Sequence, residues 1–303
     1  MSFAVVVVGS VNVDIVARGA QIPRPNETCA AEELVEGYGG KGANQAIAAA
    51  RFGARVAMVA SIGDDARGAG ARRNLEDAGV DVTHVRPITG VPTGVAVIHV
   101  GAGGDKAIMA VKGANFRLSP AAIAAAEGLV DERSIVVAQL EIPDDAVLAA
   151  AELARARGAR FVLDPAPARP LPDRLYAPCT LIKPNAREAE ALTGIEVNDR
   201  ASAIRAAKEL LRRGVNAVTV ASPEGNHLVT NGEEKTFAKH DVAAIDATGA
   251  GDAFVGALVS ALAKGASLEA AARFANAAAA LKTTRMGAQA LPSPHEIKAL
   301  LGD

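Results

Sequence analysis

The feature that most narrows the fold of this chain is an alternation of two kinds of segment. Short runs rich in β-branched residues, at 4–8, 55–60, 135–139, 160–164, 180–183 and 217–221, are separated by alanine-rich stretches of helical length. Strand, helix and strand in succession are the mark of βαβ units, which assemble a parallel sheet. Helices are expected over 43–52, 67–78, 146–157, 186–192 and 201–213. Gly53, Gly79, Gly158 and Gly214 stand just past four of them, where a left-handed residue closes a helix. Ser119-Pro120 and Ser293-Pro294-His295-Glu296 read as N-caps with a proline at the first helical position, the second a capping box.

Two segments break the alternation. Strand-like runs at 93–100 and 106–111 are joined by Gly101-Ala-Gly-Gly-Asp105 as in a hairpin, and 28–36 offers a further strand. Strands without intervening helices suggest a small β lid beside the main sheet. No linker, repeat or low-complexity tract divides the 303 residues, so one α/β domain over 1–303 is expected, its lid formed by insertions at roughly 15–38 and 90–112.

The bulk properties exclude several classes. A net charge of −2 supplies no basic field for nucleic acid or a membrane surface. Residues 3–8 are apolar but far too few to span a bilayer, and no basic stretch precedes them. Cys29 and Cys179 are distant and form no CxxC pair, which fits a reduced, cytoplasmic protein. The histidines, His84, His99, His227, His240 and His295, show no metal-ligand spacing.

Chemistry concentrates in Asp246-Ala-Thr-Gly-Ala-Gly-Asp252, which runs straight into an apolar helical stretch. Gly249, Ala250 and Gly251 let a ligand approach the backbone closely, and the first N–H groups of the helix have no intrahelical partner, so the turn suits a phosphate. Asp252 would repel such a ligand. It is either a general base for an attacking hydroxyl or an ordinary helix cap.

A second glycine-rich site, Gly37-Tyr-Gly-Gly-Lys41-Gly-Ala-Asn44-Gln45, is not a P-loop, because Val35 stands where the first glycine belongs and Gly42 follows Lys41. The first strand runs into Gly9-Ser-Val-Asn12-Val-Asp14, which is not the dinucleotide fingerprint either. Asn12 and Asp14 alternate on an extended segment, so they point to one side beyond a strand end, where open α/β sheets bind ligands. Together they can grip adjacent sugar hydroxyls, or each can close a local Asx turn.

Taken in order, Gly9-Ser-x-Asn-x-Asp14, Gly39-Gly-Lys-Gly-Ala-Asn-Gln45, Gln139-Leu-Glu141, Asp164-Pro-Ala-Pro-Ala-Arg169, Pro184-Asn-x-x-Glu188 and Asp246-x-Thr-Gly-Ala-Gly-Asp252 resemble the ribokinase branch of the PfkB carbohydrate kinase family. The resemblance runs from about residue 4 to about residue 292. It implies a three-layer α/β/α fold with a mostly parallel central sheet and a small β-sheet lid. It also implies ATP-dependent phosphorylation of the primary O5 hydroxyl of D-ribose, with Asp252 as general base. Asn12, Asp14, Gly40, Lys41, Asn44 and Glu141 would hold the sugar, and the amides of Gly249, Ala250 and Gly251 the transferring phosphoryl group. Asn185, Ser222, Gly225, Gly251 and Asn276 would meet the nucleotide. Asn185 and Glu188 would organise Mg²⁺ through water, unless Glu188 is a plain first-turn acid favoured by the helix dipole. A monovalent cation, K⁺, would lie among the backbone carbonyls of Asp246, Thr248, Lys282, Arg285 and Gly287. The implied partners are D-ribose and ATP, with no nucleic acid and no membrane, in a homodimer joined through the lids, since pairing covers exposed strand edges.

Three departures from the family's pattern matter. Val220-Ala-Ser222-Pro-Glu-Gly225 lacks a hydroxyl and a glycine of a Thr-x-Gly-x-x-Gly segment, Leu291 replaces a usual serine, and a lysine occupies position 282. Two other readings stand beside the first: a kinase for another sugar or nucleoside, such as fructose, a ketodeoxy sugar acid, adenosine or pseudouridine, and a non-catalytic binding protein. With 3% aromatic residues and no Trp, only Tyr38 and Phe116 are available to stack a base, which favours a small sugar. The intact Asp252 turn argues against the non-catalytic reading.

Overall fold

The computed structural model describes residues 2–302. In chain order its strands are β1 (Val5–Val8), β2 (Asn12–Arg18), β3 (Glu33–Gly39), β4 (Val56–Gly63), β5 (Asp81–Ile88), β6 (Gly94–Val100), β7 (Lys106–Val111), β8 (Ile135–Gln139), β9 (Arg160–Asp164), β10 (Leu181–Ile182), β11 (Ala217–Ser222), β12 (Gly225–Thr230) and β13 (Glu234–Ala238). The helices are α1 (Lys41–Arg51), α2 (Ala66–Asp77), α3 (Pro120–Ala124), α4 (Asp144–Ala156), α5 (Ala186–Thr193), α6 (Arg200–Arg212), α7 (Ala250–Ala263), α8 (Leu268–Lys282) and α9 (Pro294–Leu301).

Nine strands form one sheet in the order β13-β12-β11-β10-β9-β8-β1-β4-β5, parallel except at β12 and β13. The alternation of a strand's side chains explains the layers. Val5 and Val7 pack with Ile47, Leu258 and Ala275 from α1, α7 and α8, while Val6 and Val8 pack on the other face with Val147 and Ala206 from α4 and α6. A strand buried on both faces must be apolar throughout, as Val5-Val-Val-Val8 is.

The expected strands all form, with 180–183 reduced to the two residues of β10 and the strand sought at 28–36 displaced to Glu33–Gly39. β5, β12 and β13 are additions at or beside an edge; β5 and β13 each expose three positions, whereas β12 is mostly buried. Both proline caps form as expected, including the reciprocal Ser293–Glu296 box. Among the described residues no helix is long and apolar enough to cross a membrane.

A second sheet of four strands, in the order β3-β2-β6-β7, is the lid. The extended segment that carries Asn12 and Asp14 is β2, with only three residues between it and the end of β1. Its first residue, Asn12, pairs with Gly39 on one side and Gly94 on the other. Two helices bring their N-termini under this sheet. They approach closely because Gly256 has no side chain: a Cβ there would lie 2.3 Å from that of Ala48.

Candidate active site

Helices α1 and α7 deliver the central cluster. Asp252, in the first turn of α7 and 6% exposed, accepts Asn44 Nδ2 and Gln45 Nε2, each at 3.0 Å. No side chain caps α7, whose N-cap is Gly249 in the left-handed region at φ 78°. The capping reading of Asp252 is therefore overturned: its carboxylate turns across to α1. Burial pushes its carboxyl above the ordinary range and Asp164 adds to this, opposed by Lys41 and the two amides. Burial works against the Lys41 ammonium, but the carboxylates of Asp252, Asp164, Glu141 and Glu188 outweigh it and hold the group charged.

Gln45, quoted only as part of a glycine-rich run, proves to be a hub. Its Nε2 also donates to Asp164 Oδ2 at 2.8 Å, and its Oε1 accepts Gln139 Nε2 at 2.7 Å. Asn44 Oδ1 in turn accepts Gln289 Nε2 at 3.1 Å. A buried amide network of this kind fixes the carboxylate it surrounds, although Gln139 Oε1 at its far end accepts no hydrogen bond.

At the lid end, Asn115 donates to Asn12 Oδ1 at 2.7 Å while binding both the N–H and the carbonyl of Val11. A Cβ on Gly94 would lie 2.3 Å from both amides, so glycine is required there. Asp14 sits on β2 above Gly39, where a Cβ would come within 2.3 Å of Oδ2. Its carboxyl is raised to about 6, first by burial and then by the negative charges of Glu141 and Asp252. Glu141 accepts Ser10 Oγ at 2.5 Å and the Lys41 N–H at 3.1 Å, which places it at the N-terminus of α1. Gly40 turns this corner at φ 90°, where a Cβ would meet Asn12 N at 2.7 Å. Asn12 and Glu141 line a cavity of about 820 Å³ that Ile108, Phe116 and Arg169 also border. Tyr38 lies instead against α2, its hydroxyl 2.4 Å from where a Gly70 Cβ would be.

In the anion turn, the Ala250 N–H donates to the Ala247 carbonyl at 3.2 Å, so its amide is already engaged, whereas Gly251 is among the first helical donors. Lys183, 7% exposed, points its ammonium here: a Gly251 Cβ would lie 3.1 Å from Nζ. A lysine ending an apolar strand was the available signal for it. Asp246 neither caps α7 nor offers its carboxylate to a ligand. Oδ1 accepts the Thr248 N–H and hydroxyl and Lys106 Nζ, and Oδ2 accepts the Gly287 N–H at 2.9 Å. Burial opposes ionisation, but these donors outweigh it and hold the carboxyl well below the usual range. Its carbonyl and that of Arg285 accept Lys282 Nζ.

The residues expected at the nucleotide have local partners. Ser222 Oγ pairs with His227 Nε2 at 2.7 Å, and Gly225, at φ 144°, would drive a Cβ within 2.1 Å of the Phe237 carbonyl. Both serve the β11–β12 hairpin, whose two-residue loop explains the Ser-Pro-Glu-Gly spacing. Asn276 binds the Ala238 carbonyl at 2.9 Å and Asn226 Nδ2 at 2.6 Å. Asn185 and Glu188 form a reciprocal capping box, and Asn185 Nδ2 also donates to Glu188 Oε1 at 2.8 Å. Burial and Asp164 raise the Glu188 carboxyl, against Lys183 and Lys41. Asp164 Oδ1 is buried with no donor on it. Among the described residues no three His, Cys, Asp or Glu side chains converge as a metal cage. The orphaned Asp164 Oδ1 and the buried Glu188 carboxyl suit the water shell of a divalent ion, and Asp164 and Glu188 are the residues that would orient it.

Residues 2–296 match the pfkB family carbohydrate kinase pattern. The chain is 38% identical to a ribokinase of Haemophilus influenzae over 96% of its own length and 95% of that protein's. A deoxyribokinase of Salmonella typhi is 36% identical, over 94% of each chain. Among solved structures, an Arabidopsis thaliana ribokinase complexed with ribose and ATP superposes with a TM-score of 0.90 at 31% identity, over the whole of both chains.

Proposed function

The chain belongs to the pfkB family of carbohydrate kinases, and on that premise we propose that it is an ATP-dependent ribokinase acting on the primary O5 hydroxyl of D-ribose. The observation that carries this reading is the buried Asp252 at the start of α7, within electrostatic reach of Asp14, which lies on the lid strand β2. In the proposed step the hydroxyl oxygen bonds to the γ-phosphorus of ATP and the bond to the β–γ bridging oxygen breaks. The hydroxyl proton passes to Asp252, and ADP leaves with the electron pair.

Phosphoryl transfer needs alignment and charge stabilisation more than covalent help. Asn12, Asp14 and Glu141 supply hydroxyl acceptors, with Lys41 and Asn44 beside them. The first amides of α7 and the Lys183 ammonium face the transferring group. Mg²⁺, when bound, neutralises charge on the β- and γ-phosphate oxygens. Asp164 and Glu188 would orient its water shell. A pair of free, distant cysteines supports a cytoplasmic setting. Leu34, Val35, Ile108 and Met109, exposed on the lid, support a homodimer closed lid to lid. The monovalent-cation part of the expectation does not fit the residues present, because Lys282 takes the carbonyls that K⁺ would need.

The deoxyribokinase relative makes deoxyribose the second reading. ADP release over ribose, deoxyribose, fructose, adenosine and pseudouridine decides between them. Ribose is expected to give the highest kcat/KM; a higher value for any other acceptor overturns the ribose assignment, and none with any acceptor overturns the kinase step.

A further inference from the structure

We infer that this chain carries its own monovalent cation: the Lys282 ammonium takes the place of K⁺ behind the anion turn and makes turnover independent of added K⁺. The inference rests on the kinase reading above. Lys282 ends α8 and is fully buried, and its Nζ donates to the carbonyls of Asp246 at 3.2 Å and Arg285 at 3.0 Å. An ammonium is a compact charge with donors only, so it satisfies converging carbonyl oxygens as an alkali cation does.

The two cations exclude one another. A second unit charge about 4 Å away costs about 4 kcal/mol at an effective dielectric constant near 20, roughly a thousandfold in affinity. Lys106 and Arg285 add positive charge to the same locality, with Asp246 as the one carboxylate acting on Lys282. The ammonium is also tethered, so it competes at a high effective concentration, and its buried stem gives it no route to solvent.

Its position explains how it acts on the chemistry at one remove. Ile245 and Asp246 both donate to the Thr283 carbonyl, at 2.8 and 2.9 Å, and Asp246 Oδ2 holds the Gly287 N–H. Gly249 rests against Ala288, where a Cβ would lie 2.5 Å from the carbonyl oxygen. Lys282 thus ties the loop at Arg285 to the segment that leads into the first amides of α7. It is a positioning residue, acting through that backbone.

The test compares the wild type with Lys282→Ala and Lys282→Met in tetramethylammonium, potassium and ammonium chloride at matched ionic strength. Wild-type ADP release should change by less than about twofold between these salts. Lys282→Ala should lose about tenfold or more of kcat in tetramethylammonium, with little change in sugar KM, and regain most of it with K⁺ or ammonium. Melting of the ligand-free proteins gives a readout that survives failure of the kinase reading: K⁺ should raise the melting temperature of Lys282→Ala and leave that of the wild type unchanged. Should Lys282→Ala not fold, Lys282→Met keeps the apolar stem and must lose activity in every salt that cannot replace the charge. Activation of the wild type by K⁺ of about tenfold or more, or Lys282→Met matching the wild type in tetramethylammonium, overturns the inference.

Discussion

Asp246 and Asp252 flank one turn, yet their carboxyl groups are driven in opposite directions. Asp246 has donors on both oxygens and a lysine reaching down from the lid, and it is held ionised. Asp252 has two amides, deep burial and a neighbouring carboxylate, and its charge is disfavoured. The difference separates a brace from a reactive group: one carboxylate has its lone pairs spent, the other retains a reason to take a proton.

The largest effect expected from breaking this contrast is at Asp252. Asp252→Asn should lower kcat by about 10²–10⁴-fold or more while sugar affinity changes little. Single-turnover ADP release within about tenfold of wild type would remove the residue from the base role. Because the folded carboxyl is raised, its contribution to stability is fully present below its unfolded pKa and lost as pH rises, so the variant should melt above the wild type at neutral pH and converge with it in acid.

Asp14 carries the same crowding to the lid. Its carboxyl titrates at about 6, so the wild-type KM for the sugar should rise as pH falls through that value. Asp14→Asn should remove this step and raise KM at neutral pH by about tenfold, the loss of a charged hydrogen bond. The same variant should gain about 1–3 kcal/mol of stability at pH 7, because a raised carboxyl costs most when ionised. A pH-independent wild-type KM would sink the assignment.

At the satisfied end of the comparison the losses should be structural. Asp246→Ala strands the Gly287 and Thr248 donors and should cost about 1–3 kcal/mol in denaturant unfolding. Asp246 is depressed, so its contribution should be present above its unfolded pKa and vanish in strong acid. The smallest change is Lys106→Met, which removes one partly exposed ion pair and should cost about 0.2–1 kcal/mol. If it lowered kcat as far as Asp252→Asn, the division into brace and reactive group would fail.

The fold was legible where burial is two-sided. β1 is apolar throughout, β8 and β9 are apolar apart from Gln139, Arg160 and Asp164 at their ends, and α4 beside them is rich in small residues that let it lie close. β5 and β13 were not legible, since polar residues at their exposed positions mask the period, and in β12 the half-buried Asn226 and the buried His227 interrupt the apolar run. In the site, most of the residues proposed to hold a ligand were readable because they sit in or beside short glycine-rich runs. Those that hold other side chains were not: Asn115 meets Asn12, and Gln139 meets Gln45, across about a hundred residues of chain, and nothing local records the encounter. Ser222 and Gly225 show the opposite case, a glycine spacing that a hairpin turn explains by itself.

Only Gly9, Ser10 and Val11 separate the central sheet from the lid. Asn12 and Asp14 therefore ride on the part that would move, while Glu141 and Asp252 belong to the part that stays. On the proposed function, a sugar held by both halves would be the mortar between them. Swinging the lid back would then break that joint, so that opening and letting go of the product would become one event.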